Sequence, residues 1–276
     1  MALKLMYITN NPKIAVVAEN AGVDRIFIDM EYIGKDIRQG GMDTVKSHHT
    51  IDDIAAVRQV IKKSELLVRV NPIHDKTDLY TSSEEEITKT IENGADIIML
   101  PYFKTVDEVK RFIGIVNGRC KTMLLVETPE AVEIIDDILE IDGIDECHIG
   151  LNDLSLGYGM KFMFELLADG TVERLCEKFR KKGLSYGFGG IASLGHGLLP
   201  AENVIIEHYR LGSSMAILSR SFCDVNKLKP GVDISAMFNK GVAEIRAFEK
   251  DVSSEKYSFE ANRQWIVKKV KSLTGE

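Results

Sequence analysis

Short apolar runs alternate with amphipathic segments along most of the chain. Each apolar run is continuous rather than alternating with polar residues, which is typical of strands covered on both faces. Eight runs are predicted as strands: Leu3–Ile8, Arg25–Glu31, Leu66–Asn71, Asp96–Pro101, Thr122–Glu127, Cys147–Asp153, Ser185–Gly190 and Tyr209–Ser214. Between them, apolar residues recur at helical spacing, so one strand–helix unit is repeated along the chain.

The starts of the helical segments are marked by capping residues. Asn11-Pro12 and Thr128-Pro129 each combine an N-cap with a proline at the first helical position, and Thr105 with Glu108 forms a capping box. Eight strands in alternation with helices predict a (β/α)8 TIM barrel. An open doubly wound sheet is the alternative, but Thr9–Pro12 is not the glycine-rich turn that usually follows its first strand.

The alternating pattern stops near residue 230. Residues 1–230 are therefore interpreted as a barrel catalytic domain, and 231–276 as a C-terminal helical extension with two helices and the single tryptophan, Trp265. We expect this extension to lie outside the barrel and to form a subunit contact in a homo-oligomer. Ordinary capping of the barrel is the alternative interpretation.

Composition narrows the class of protein. The chain has 276 residues, a normal length for one such barrel, and its net charge of -7 is spread along the sequence. No basic block favours nucleic acid or a membrane surface, and no apolar run reaches the ~18 residues of a membrane span. The N-terminal residues lack a signal-peptide layout, and the four cysteines form no Cys-x-x-Cys pair. We therefore expect a cytoplasmic protein with reduced, mostly buried thiols.

Two carboxylates close two of the apolar runs. Glu127 ends Met123–Glu127, and Asp153 follows it by 26 residues, after His148–Asn152. Strand ends of this kind carry the active sites of (β/α)8 barrels, and a pair of carboxylates suits a hard divalent cation such as Mg²⁺ or Mn²⁺. Neither cysteine nor histidine stands at these positions, which disfavours tetrahedral zinc. The competing interpretation is structural, with Asp153 capping a helix that begins near Leu154.

A third candidate is an arginine inside an apolar strand. Arg69 lies in Leu67–Asn71, and a buried guanidinium is costly unless an anion accompanies it. Asp29 and Glu31, at the end of the second strand, are the structural candidates for that anion. The functional candidate is a substrate carboxylate or a developing enolate oxygen.

Several segments together resemble the HpcH/HpaI aldolase and citrate lyase β-subunit family over about residues 15–219. The resemblance rests on Phe27–Glu31, Val68–Pro72, Gly94–Pro101, Leu125–Thr128 and Ile149–Leu156, in this order. It implies a (β/α)8 barrel that makes or breaks carbon–carbon bonds with a divalent metal ion such as Mg²⁺, Mn²⁺ or Co²⁺. The substrates would be a 2-oxo acid with an aldehyde, or an acyl-CoA thioester.

The resemblance also implies roles for single residues. Glu127 and Asp153 would hold the metal ion, and Arg69 would stabilise the enolate oxygen. The backbone amides of Leu151, Asn152 and Asp153 would bind the substrate carboxylate. Asp29 and Glu31 would not bind the metal ion themselves but would stabilise the residues around it.

The chain departs from the family pattern in three places. Asp29-Met30-Glu31-Tyr32 stands where the aldolases usually have Asp-Gly-Glu-His, and 34–47 resembles an insertion, so His49 becomes the candidate base with His48 in reserve. Leu125 replaces a glutamine that usually precedes the metal-binding glutamate. Finally, the loop Ile73–Glu86 is longer than small aldolases need, and we expect it to influence substrate size.

A metal-dependent 2-oxo acid aldolase using a pyruvate-type enolate is the favoured function. An acyl-CoA lyase of the citrate-lyase type and a catalytically silent metabolite-binding barrel are the alternatives. A further rival is a metal-independent aldolase in which Lys104, just after the fourth strand, forms a Schiff base. Gly187–Gly190 lies at the end of the seventh strand, where barrels often bind phosphate, but close backbone packing is the favoured explanation.

Overall fold

Eight parallel strands close into a barrel in chain order. A computed structural model describes residues 2–34, 49–219, 222–223 and 231–275. The strands are β1 Lys4–Ile8, β2 Arg25–Asp29, β3 Glu65–Arg69, β4 Ile97–Leu100, β5 Lys121–Val126, β6 Glu146–Ile149, β7 Ser185–Ile191 and β8 Met215–Leu218. Each strand pairs with the next, and β8 pairs with β1 through the register Lys4↔Met215. The predicted TIM barrel is confirmed.

Helices follow the strands on the outside of the barrel. The described ones are α1 Pro12–Asn20, α2 Ile51–Val60, α3 Ser83–Glu92, α4 Val106–Val116, α5 Pro129–Glu133, α6 Ile135–Leu139, α7 Leu151–Gly157, α8 Glu165–Ala168, α9 Thr171–Lys182, α10 Ala201–Leu211, α11 Ile234–Ser253 and α12 Phe259–Thr274. The predicted N-caps Asn11, Thr105 and Thr128 all accept hydrogen bonds from first-turn amides.

Two of the strand predictions were wrong in their bounds. Tyr209–Leu211 continues α10, which ends at Gly212 in the left-handed conformation (φ +70°), and the eighth strand begins only at Met215. The sixth strand ends at Ile149, and Leu151 already belongs to α7. In both cases an apolar run crosses a helix boundary, which continuous hydrophobicity alone does not reveal.

The barrel interior is stacked in layers. Its middle is apolar and rich in methionine, with these buried side chains: Met6, Phe27, Leu67, Ile97, Met99, Met123, Leu125 and Met215. At the N-terminal end of the strands, the fully buried Arg25 binds Glu146 with two hydrogen bonds (2.6 and 2.7 Å) and Glu65 with one (2.8 Å). This charged cluster lies at the N-terminal ends of the strands, opposite the end that carries Arg69 and Glu127.

The C-terminal helices pack on the barrel wall. Phe238 of α11 meets Tyr7 of β1 edge to face at 4.8 Å, and the Leu3 amide donates to Glu249 at 2.7 Å. Asn262 of α12 donates to the buried Glu207 of α10 at 2.9 Å. The segment after residue 231 therefore packs against the barrel, and its part in a subunit contact stays a prediction.

The thiols are free and mostly buried. Cys147, Cys176 and Cys223 are buried and Cys120 is half-buried. Burial raises the pKa of Cys120 to about 11 and that of Cys176 to about 12, so neither is a ready nucleophile. Across the described ranges, no helix combines the length and apolarity needed to span a membrane.

Candidate active site

Arg69 lies at the C-terminal end of β3, in the opening of the barrel that we call the mouth. Its Nε and Nη2 atoms donate to the two carboxylate oxygens of Asp29, both at 2.8 Å, and its Nη1 lies 3.3 Å from Glu31 Oε2. Neighbouring strands supply this arrangement, because Asp29 and Arg69 are directly paired in the β2–β3 register. The structural partners considered for Arg69 are thus both present.

The guanidinium retains capacity for a further anion. Two of its five N–H groups donate to Asp29, the contact from Nη1 to Glu31 is an ion pair at 3.3 Å, and its side chain is still 14% exposed. Burial alone would lower the pKa of Arg69, but Asp29, Glu31 and the more distant Glu127 hold that pKa well above its usual value. Arg69 therefore keeps its positive charge, and that charge interacts electrostatically with the Glu127 carboxylate.

Glu127 lies at the end of β5 with 3% of its surface exposed. The Tyr102 amide, at the end of β4, donates to its Oε1 at 3.1 Å. On its other side is Gly150, where an added Cβ would lie 2.7 Å from both Glu127 Cβ and Glu127 Oε2. The carboxylate is thus confined between the ends of the flanking strands.

Asp153 lies in the first turn of α7 and is 8% exposed. Because β5 and β6 pair at Val126↔Ile149, Glu127 stands beside Gly150, the N-cap from which α7 starts. The exposed Asn152 donates to Asp153 Oδ1 at 3.2 Å. The predicted set Leu151, Asn152 and Asp153 is therefore a helix start rather than a strand end.

Four buried carboxylates are collected at the mouth, each at most 8% exposed: Asp29, Glu31, Glu127 and Asp153. Arg69 forms ion pairs with the first two of them. Within the described ranges, the mouth included, no three histidine, cysteine or acidic side chains are close enough together to form a metal-binding group. The carboxylate oxygens of Glu127 and Asp153 are nevertheless the donor type that a hard divalent cation prefers.

His49 approaches the same cluster from the segment before α2. The Asp29 amide donates to its Nδ1 at 2.9 Å, so the neutral imidazole carries its proton on Nε2. The structure thus places His49 beside the backbone of Asp29, and its role as a catalytic base stays a prediction. The reserve candidate His48 and the insertion at 34–47 fall almost wholly outside the described residues.

Lys104 is poorly suited to Schiff-base chemistry. Its Nζ lies 2.7 Å from Glu130 Oε1 and 5.2 Å from the Tyr102 ring centroid. The hydrogen bond to Glu130 raises the pKa of Lys104, whereas a nucleophilic lysine needs a lowered one. This side chain is better explained as a surface ion pair.

The glycines of Gly187–Gly190 serve close packing. A Cβ on Gly187 would lie 2.3 Å from the Met215 carbonyl oxygen and 3.0 Å from His148 Nδ1. A Cβ on Gly189 would lie 2.6 Å from Leu151. No space for a phosphate group is needed to explain them.

Two aromatic rings lie at the edge of the mouth, Tyr32 after β2 and Tyr80 in the loop after β3. Tyr80 packs against the exposed Tyr32 with ring centroids 5.5 Å apart. His74 holds the loop through contacts to the carbonyl oxygens of Pro72 (2.7 Å) and Thr81 (2.8 Å). Asn71 joins the two loops, since its Oδ1 accepts the amides of Tyr32 and of the next residue, both at 3.0 Å.

Three features of the mouth were missed by sequence reasoning: the Tyr102 amide, the bare α-carbon of Gly150 and the Tyr32–Tyr80 pair. The Gly150 position carried a usable signal, since a glycine interrupts the sixth apolar run. A surface cleft of about 890 Å³, lined by Arg58, Lys63 and Lys121, lies at the opposite end of the strands and does not join this site.

Comparison with known proteins gives one family. The family model described as HpcH/HpaI aldolase/citrate lyase matches residues 4–166, more than half of the chain. No curated protein matches the chain.

Solved structures share the barrel. The HpcH/HpaI aldolase from Desulfitobacterium hafniense DCB-2 is similar at a TM-score of 0.60 and 16% identity, covering 84% of this chain and 96% of that one. An HpcH/HpaI aldolase/citrate lyase family protein from Burkholderia cenocepacia J2315 gives 0.62 and 14%, covering 93% and 95%. The citrate synthase SbnG gives 0.59 and 16%, covering 91% and 94%.

Such low identities show the common fold alone, whereas the family match rests on the sequence itself. The resemblance found in the strand-end segments and the closed barrel agree with that match. The chain belongs to the HpcH/HpaI aldolase/citrate lyase family and is an enzyme of the carbon–carbon lyase type.

Proposed function

We propose that this protein is a divalent-metal-dependent aldolase that cleaves or forms a 2-oxo acid through a pyruvate-type enolate. The observation that carries the proposal is the pair of buried carboxylates at the C-terminal ends of neighbouring strands, Glu127 after β5 and Asp153 in the first turn of α7, in a barrel of this family. A divalent cation held there would accept further oxygen ligands from a 2-oxo acid.

Glu127 and Asp153 would hold the metal ion, with Mg²⁺ or Mn²⁺ preferred and Co²⁺ possible. When bound, a divalent cation polarises the carbonyl oxygen of the 2-oxo acid and favours its enolate. Asp29 and Glu31 are already engaged with Arg69, so they would support the site from behind.

Arg69 would stabilise the oxygen on which negative charge develops. Asp29 fixes the plane of its guanidinium through two hydrogen bonds, and its Nη1, beside Glu31, is not used in either of them. A donor that is held in place before the reaction needs no reorganisation, which is the property that makes such groups effective.

His49 would act through Nε2. Its Nδ1 accepts the Asp29 amide, so a neutral His49 presents a proton at Nε2 and can donate it to an oxygen of the substrate. This changes the sequence-based interpretation of His49 as a base into that of a hydrogen-bond donor or acid.

The start of α7 would bind the carboxylate of the substrate. The first N–H groups of a helix are not used by its own carbonyls, and those of Leu151, Asn152 and Asp153 occupy that position. The Tyr32–Tyr80 pair would form the wall of the acceptor side, favouring aldehydes with an aromatic or apolar group over small ones.

The test is a retro-aldol assay on 4-hydroxy-2-oxo acids, together with exchange of the C3 protons of pyruvate for deuterium. Chelator should abolish both activities, and Mg²⁺, Mn²⁺ or Co²⁺ should restore them. Glu127→Gln and Asp153→Asn should lower both rates by about 100-fold or more. The control is Glu130→Gln, a carboxylate on the same side of the barrel that is paired with Lys104.

Full activity in either Glu127→Gln or Asp153→Asn would refute the metal site. Turnover of acyl-CoA thioesters without any 2-oxo acid cleavage would instead favour the citrate-lyase type. Binding of oxalate with Mn²⁺ but no turnover of a broad aldehyde panel would favour a silent barrel. Pyruvate trapped on Lys104 by borohydride would favour the Schiff-base rival.

The setting we infer is a cytoplasmic homo-oligomer. The four free thiols suit a reducing compartment. On α11 and α12, apolar side chains remain exposed after the helices have packed on the barrel, among them Phe259, Trp265 and Leu273. We propose these as part of a subunit contact, with analytical ultracentrifugation of Trp265→Glu as its test.

A further inference from the structure

Tyr102 has a backbone conformation that side-chain-bearing residues rarely adopt. Its φ is +49°, and among the described residues only Asn117 (+48°) and Glu255 (+59°) are other non-glycine residues with positive φ. Asn117 caps the end of α4 and Glu255 follows the end of α11, where this conformation is common. Tyr102 instead follows β4 and ends no helix, so a different reason for the strain is needed.

The strained turn aims a backbone amide at the catalytic mouth. The Tyr102 N–H donates to Glu127 Oε1 at 3.1 Å. One residue later, the Phe103 carbonyl accepts the hydroxyl of Thr128 at 2.8 Å. Two hydrogen bonds therefore tie the end of β4 to the end of β5, one on Glu127 itself and one on the residue after it.

Gly150 confines the same carboxylate from the other side. A Cβ at this position would lie 2.7 Å from Glu127 Oε2, a distance that real Cβ atoms essentially never show. The φ of Gly150 is -82°, so backbone conformation does not demand a glycine here. The demand comes from the space that Glu127 occupies.

We propose that Tyr102 and Gly150 are positioning residues for Glu127. The Tyr102 amide holds Oε1, and the bare α-carbon of Gly150 leaves room for Oε2 beside the helix that carries Asp153. Together they set one orientation of the carboxylate before any cation binds. This inference rests on the metal site of the proposed function.

The experiment measures Mn²⁺ affinity by isothermal titration and by electron paramagnetic resonance on the purified full-length chain. Gly150→Ala should weaken Mn²⁺ binding by about 10-fold or more, as expected when a group that orients a ligand is disturbed. Its matched control is Gly114→Ala, because Gly114 lies in α4 with no atom within 4 Å of an added Cβ. That control should bind Mn²⁺ like the parent protein.

The Tyr102 amide is tested by replacing Tyr102 with its α-hydroxy acid analogue, which removes the N–H and keeps the side chain. Mn²⁺ binding should weaken by about 3- to 10-fold. Tyr102→Gly keeps the N–H and removes the strain, so binding should stay within about threefold while the melting temperature rises. Asn117→Gly is the control for strain release at a distant site.

Wild-type affinity in both Gly150→Ala and the α-hydroxy variant would overturn the inference while leaving the metal site intact. If Gly150→Ala does not fold, the α-hydroxy variant alone decides. If the parent protein binds no Mn²⁺, the proposed metal site fails and this inference falls with it. Because the readout is binding, none of these outcomes depends on knowing the substrate.

Discussion

Replacing Arg25 with methionine should destabilise the barrel strongly without changing its chemistry. Arg25 is fully buried and makes three hydrogen bonds to Glu146 and Glu65. Its removal leaves the Glu146 carboxylate, 5% exposed, with Lys4 at 3.8 Å as its remaining ion pair. Removing one partner of a buried pair costs about 3–5 kcal/mol. That cost corresponds to a melting temperature lower by about 6–20 °C.

The assay is urea unfolding followed by circular dichroism and by the fluorescence of the single tryptophan. Arg25→Met combined with Glu146→Leu should recover at least half of the loss, because no charge is then left buried. Lys178→Met, which breaks an exposed pair with Asp136, is the control and should cost less than about 1 kcal/mol. An Arg25→Met variant as stable as that control would refute the reasoning, as would a fall in kcat per folded molecule.

Four further outcomes are expected. In His49→Ala, loss of the Nε2 donor should lower kcat by about 10²–10³-fold. His49→Gln should retain at least about 10-fold more activity than His49→Ala, because the glutamine amide can replace that donor. An equal loss of activity in both variants would favour a role for His49 as a base. Lys104→Met should leave kcat within about twofold, because Lys104 is occupied by Glu130. Tyr80→Ala should lower kcat/KM for benzaldehyde-type acceptors but not for glycolaldehyde or for pyruvate deuterium exchange. Burial lowers the pKa of His148 to about 4 and that of His208 to about 3, so below pH 6.5 the unfolded chain binds more protons than the folded one. The free energy of unfolding should therefore fall as the pH is lowered from 6.5 to 4, by about 3 kcal/mol for His148 alone. His208→Gln should make the free energy of unfolding depend less steeply on pH.

The fold was predictable from the sequence because its signal is repeated eight times. An error in one unit, such as Tyr209–Ser214, does not disturb the other seven. The candidate site was predictable as far as it consists of charged side chains at strand ends, since Glu127 and Arg69 have no packing reason to be there. Backbone features were not predictable, because no residue type announces that Tyr102 turns its amide towards Glu127.

His49 was predictable from the sequence only in part. A histidine near the mouth could be inferred from its similarity to the family segment, and the structure does bring it to Asp29. Its Nδ1 accepts one backbone amide 20 residues earlier, a tertiary contact that has no counterpart in the sequence pattern.

The methionine-rich middle layer gives the barrel a deformable floor beneath the site. Four of the eight buried side chains in that layer are methionines: Met6, Met99, Met123 and Met215. Unbranched thioether chains fill irregular space and tolerate exchange, with Met-to-Leu changes costing less than about 1.5 kcal/mol. The shape of the floor can therefore drift through many small steps without unfolding the barrel.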